Sequence, residues 1–249
     1  MARVAYDYPY RLKIEHADRA ELRLSRRGRP IVFDPALAPT ADELVILTGP
    51  DRLRATADAV RAGVRPTVLA APEITEALAA LGPMDTLAPT TSPHALPDGL
   101  VVSWLAYPTV PASPRTLRSM VALRGLRDRT RAPQVPARVW QLTFPDGARL
   151  LHLDLALHAD TSPAWIDQAV AAFHGPEWIL VGCAFGASTA VARWLPRFEG
   201  RRVMVVELVN SDRREQGLPV ELVTPLRDRL VGLGVEAHVF ATQASYRFE

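Results

Sequence analysis

Six histidines, His16, His94, His152, His158, His174 and His238, and one cysteine, Cys183, carry most of this sequence's capacity for metal ligation, nucleophilic attack or proton transfer. No two histidines stand at the H-x-H or H-x-x-x-H spacing that brings two imidazoles to one metal. His152, Asp154 and His158 form the tightest grouping. Side chains two apart share a strand face, so His152 and Asp154 are expected side by side, with His158 on the loop beyond. That trio is the best candidate for acid–base work or a stray metal; the plainer reading is a strand histidine and a loop histidine without a role. Gly182-Cys183-Ala184-Phe185-Gly186 has the outline of a nucleophile elbow, in which a strand enters G-x-S-x-G and a helix follows, but alanine stands at the nucleophile position. Cys183, one place off, reads as a buried structural cysteine, or as a shifted thiolate with His152, His158 or His174 as its base. Neither G-x-G-x-x-G nor a Walker loop is present, so a nucleotide cofactor has no support.

The elements that must position these groups follow from the apolar pattern. Residues 12–15 and 20–24 alternate apolar with polar and read as strands with one wet face; residues 31–33 and 44–47 are short apolar runs that read as buried strands. Residues 52–62 form a helix by pattern, with Leu53, Ala57 and Val60 on one face and Gly63 as its stop. A short strand at 67–71, a helix at 73–81 and a strand at 100–105 follow. Residues 139–144 and 149–153 flank Pro145-Asp146-Gly147 and read as a hairpin. Strand–helix alternation then runs to the end: helices over 164–173, 188–195 and 219–233, strands over 178–182, 202–209 and 236–241. Residues 111–136 differ from their surroundings, with Arg115, Arg118, Arg124, Arg127, Arg129 and Arg131 around Leu117, Met120, Val121 and Leu123. They read as an insertion carrying a surface helix, either solvated or serving as an arginine-lined lid or docking helix for an acidic partner.

Composition bounds what such a chain can be. Its 249 residues, 48% hydrophobic and 22% charged, suit one compact globular domain over 1–249. A net charge of +2 gives no electrostatic case for nucleic acid. A lone cysteine excludes an internal disulfide and any multi-cysteine metal site. The first residues lack a signal-peptide core, and no apolar run approaches the ~20 residues of a membrane span, so a reducing, cytoplasmic setting is expected.

The order of elements, with the text EHADRAELRLSRRGRPIVFDP, then ADELVILT, then ARLLHLDLALH, resembles the metallo-β-lactamase-fold hydrolases. The resemblance implies an α/β (α+β) fold, a four-layer αββα sandwich of two sheet-plus-helix halves. In that family a strand ending in threonine precedes H-x-H-x-D-H, whose side chains hold one or two metal ions that activate water. Here the motif positions after Thr48 are Gly49, Asp51, Leu53 and Arg54, with no imidazole among them. The family's later histidines fall near Tyr107 or Thr109 and near Val209 or Asn210, and its bridging aspartate falls at Asp154. Carboxylates without imidazole or thiolate suit zinc poorly, so neither a catalytic metal nor another cofactor is expected.

The resulting expectation is a non-catalytic protein that binds a protein partner or small ligand near the former cleft of Gly49, Asp51, Arg52, Arg54, Asp154, His158 and Asn210. The alternative is a hydrolase of an ester, lactone or similar bond with a rebuilt site around Asp51, His152, Asp154 and His158. If Asp154 still points into the cleft, Arg52 or Arg54 is expected to answer its charge; both arginines facing solvent is the other possibility.

Overall fold

The computed structural model describes residues 12–18, 21–25, 30–87, 92–107, 136–183, 186–206, 217, 220, 222–240 and 245–248. The arginine-rich stretch with Arg115, Arg118, Arg124 and Arg127, and also Thr109, Val209 and Asn210, lie outside them.

Chain order gives β1 (Leu12–Asp18), β2 (Glu21–Ser25), β3 (Ile31–Phe33), β4 (Leu44–Ile46), α1 (Arg54–Arg61), β5 (Thr67–Leu69), α2 (Pro72–Ala79), β6 (Asp85–Leu87) and β7 (His94–Ala95). It continues with β8 (Val101–Ala106), β9 (Arg138–Thr143), β10 (Arg149–His152), α3 (Pro163–Ala172), β11 (Trp178–Gly182) and α4 (Ser188–Trp194). The last elements are β12 (Arg202–Val206), α5 (Val223–Gly232), β13 (Glu236–Phe240) and β14 (Ser245–Phe248). Among the described residues two seven-stranded sheets result, in the orders β14-β1-β2-β3-β4-β5-β6 and β13-β12-β11-β10-β9-β8-β7.

Alternation along the strands sorts the apolar side chains into three layers. Leu44, Ile46, Trp140, Leu142, Trp178, Leu180, Met204 and Val206 pack between the two sheets. Their neighbours in sequence point outward: Val45 and Leu47 towards Ile74 and Leu78 of α2, and Ile179, Val181, Val203 and Val205 towards Ile166 of α3, Val191 of α4 and Leu230 of α5. Strands buried on both faces need continuous apolar runs, which is what 44–47, 178–182 and 203–206 supply. The helices cover the outer faces, so the layers run αββα, as the resemblance implies.

The parallel strands set where a site can lie. β3 to β6 run parallel to one another, as do β10 to β13. Helices make the crossovers after β4, β5, β10, β11 and β12. Between β3 and β4 the crossover is a helix-free loop, and buried Glu21 pins it. Its Oε2 accepts the backbone N–H groups of Ala36 (2.8 Å) and Leu37 (3.1 Å), and its Oε1 pairs with Arg23. Arg23 also reaches Glu43 at 2.5 Å, whose other oxygen accepts Thr40 N–H. Between the sheets, Arg138 N–H donates to Thr48 O (2.7 Å), fixing the end of β4 against the start of β9.

Three strands lie outside the sequence reading. β14 returns to pair antiparallel with β1, while β6 and β7 are short edge strands. Among the described residues no helix is long and apolar enough to cross a membrane. Replacing Glu21 with alanine strands two loop N–H groups and the Arg23 guanidinium; equilibrium urea denaturation is expected to show a loss of about 2–3 kcal/mol.

Candidate functional site

The carboxyl ends of β3, β4, β8 and β10 converge on one end of the sandwich, and each delivers a polar residue. β3 ends in Asp34 and β10 runs into Asp154; both hold a left-handed backbone, at φ +45° and +46°. Aspartate tolerates that region better than most residues because its short side chain bonds locally. Asp34 uses both oxygens on Thr48: Oδ1 accepts the backbone N–H at 2.8 Å and Oδ2 the hydroxyl at 2.7 Å. Tyr107, just past β8, donates its phenol to Asp154 Oδ2 at 2.6 Å, and its own backbone N–H bonds to Ala137 O. Asp154 Oδ1 is buried with no hydrogen-bond partner among the described residues.

His152 ends β10 on the face between the sheets. Its ring stacks on Phe33, with centroids 4.5 Å apart and planes 10° from parallel, and its Nδ1 has no hydrogen-bond partner among the described residues. Asp154 lies two residues past the end of β10, at a turn, so strand alternation does not reach it. The two are linked electrostatically instead. Burial holds the His152 imidazole down from 6.5 to about 4, with Asp154 opposing the shift and Arg52 adding to it. Burial pushes the Asp34 carboxyl up from 3.8 to about 7; Arg52 opposes that rise, and Asp154 adds to it.

The remaining expected site residues are distributed unevenly. Gly49 is buried and precedes a 3-10 turn, Pro50–Arg52. Asp51 belongs to that turn, its side chain lying outside the described set. Arg52 is half-buried beside the carboxylates, whereas Arg54, the first residue of α1, is exposed. Arg52 is therefore the cation of the cleft, and the group displayed on Asp154 is the Tyr107 phenol. His158 is buried in the loop after Asp154: its Nδ1 accepts Asp160 N–H at 3.2 Å, and its backbone N–H donates to Thr161 Oγ1 at 2.8 Å. Cys183 is buried, 4.0 Å from Ser188 Oγ. His16, on β1 and two strands from β3 in the same sheet, has its Nδ1 3.1 Å from Phe240 O.

Asp34 and Thr48 join the site without having been singled out for it, whereas Tyr107 is one of the positions at which the resemblance puts a later histidine of the family. The signal for Asp34 was a carboxylate directly after a buried apolar strand, where site residues collect in α/β folds.

The fold has solved counterparts. A metallo hydrolase, Igni18, from Ignicoccus hospitalis superposes with a TM-score of 0.66 at 15% identity, covering 96% of this chain and 98% of that one. An isothiocyanate hydrolase from Delia radicum gut bacteria gives 0.62 at 13% identity, covering 95% and 99%. A Thermotoga maritima protein assigned to the metallo-β-lactamase superfamily gives 0.52 at 12% identity, covering 93% and 100%. The chain has the metallo-β-lactamase fold. No family model matches the sequence, and no curated protein matches it.

The two perturbed groups oppose one another in acid. Asp34 binds a proton more tightly folded than unfolded, so its stabilising effect is full below pH 3.8 and is lost as pH rises to about 7. His152 binds a proton less tightly folded than unfolded, so stability is gained as pH rises from about 4 to 6.5. Urea denaturation across this range is expected to show a rising stability slope in Asp34→Asn and a falling one in His152→Gln, each relative to the native chain.

Proposed function

We propose that this is a metallo-β-lactamase-fold protein that works without a metal, binding a protein partner or small ligand at the cleft rather than hydrolysing through metal-bound water. The observation that carries the reading is the Tyr107–Asp154 hydrogen bond, which stands where the family joins a histidine and an aspartate through metal. A phenol donating at 2.6 Å supplies Asp154 with a partner that a metal ion would otherwise provide.

The donor set does not fit the family's metal centre. Gly49 and Leu53 have no ligating atom, and Arg54 is a cation pointing to solvent. Asp34 spends both oxygens on Thr48, and Arg52 places a positive charge beside the carboxylates, which disfavours a second cation. Among the described residues no group of three or more histidine, cysteine, aspartate or glutamate side chains is arranged to hold a metal. The hydrolase reading around Asp51, His152, Asp154 and His158 gains less support. His152 is packed flat on Phe33, and His158 is engaged by its own loop.

Plasma mass spectrometry on protein purified without chelator tests the reading. Zinc, iron and manganese are expected far below one equivalent per chain, with no change of melting temperature on adding chelator. One or more equivalents would overturn it.

A further inference from the structure

Arg138 is a buried cation that the cleft chemistry does not use. It opens β9 and is only 9% exposed, with Nη1 buried and lacking a hydrogen-bond partner among the described residues. Its guanidinium lies 3.7 Å from the centroid of the Trp104 ring, and Trp140 lies at 5.9 Å. Those rings stand directly opposite each other on β8 and β9, and their buried Nε1–H groups also have no hydrogen-bond partner among the described residues. The position belongs to the cleft end: Arg138 pairs across the sheet with Ala106, next to Tyr107, and its backbone bonds to Thr48.

A guanidinium stripped of water and left with an unanswered N–H is costly to bury, and ring stacking offsets only part of that cost. Burial lowers the Arg138 pKa, and the exposed Glu73 on α2 opposes that shift. Three buried donors on two adjacent strands, each without a hydrogen-bond partner among the described residues, leave room for an acceptor from outside.

We propose that Arg138, framed by Trp104 and Trp140, is a subsite for the carboxylate of an organic monoanion bound at the cleft. One cation with indole walls favours a single negative charge on an apolar body. Desolvation cost grows with the square of the charge, so a phosphate dianion needs more than one arginine supplies. This inference rests on the ligand-binding reading above and specifies the ligand's class.

The test is a titration of the full chain with benzoate, followed by tryptophan fluorescence and calorimetry at fixed ionic strength, with inorganic phosphate in parallel. Saturable benzoate binding is expected, with phosphate weaker. Arg138→Gln is expected to weaken benzoate by about tenfold or more. Glu73→Gln, an exposed change that spares the fold, is expected to tighten it by about threefold by removing a competing charge. Absence of saturable benzoate binding, phosphate binding as tight as benzoate, or unchanged affinity in Arg138→Gln would overturn the subsite. Should Arg138→Gln not fold, unchanged affinity in Glu73→Gln would do so. Metal content separates the two failures: metal-free protein that ignores benzoate loses the subsite alone, whereas metal-loaded protein loses the ligand-binding reading itself.

Discussion

A carboxylate taken out of water must be answered by hydrogen bonds, by an opposite charge or by a proton, and the cleft end of this sandwich buries two of them. Asp34 takes hydrogen bonds from the Thr48 backbone and hydroxyl; Asp154 takes one from Tyr107. These bonds also tie strand ends together. Asp34 to Thr48 joins the end of β3 to the end of β4 within one sheet, and Tyr107 to Asp154 joins β8 to β10 across β9 in the other. The Arg138 backbone closes the ring by reaching Thr48 between the sheets.

Electrostatics at this end follow from that arrangement. Arg52 lies near enough to oppose the rise of Asp34 and to hold down His152, so one cation serves both residues. Asp34, raised to about 7, is partly protonated near neutral pH, which spares the cleft a second full negative charge beside Asp154. His152, held to about 4, is neutral there and behaves as an aromatic surface against Phe33. The cleft thus keeps its charge low with its own side chains.

Much of the architecture was legible because local rules and tertiary needs agree. The β9–β10 hairpin, the doubly buried strands of residues 44–47 and 178–182, and the helices closed by Gly63 and Gly234 all follow from periodicity and turn chemistry. The edge strands were not. Ser245–Phe248 pairs with Leu12–Asp18 from the opposite end of the chain, and His94–Ala95 is two residues long; no local pattern specifies such partners. The site was legible in part. Asp154 and Gly49 were placed at the cleft by motif position and Arg52 as a candidate counter-charge to Asp154, but the turn at Asp154 was not. The Tyr107 bond is set by cross-sheet packing, which spacing along the chain does not encode.

The central claim is the proposal that this cleft works without a metal, with Asp154 Oδ2 answered by the Tyr107 phenol. Calorimetric titration of chelator-treated protein with zinc tests this most directly. The account predicts no saturable binding heat in the native chain. Stoichiometric zinc uptake that is lost in Asp154→Asn would contradict it.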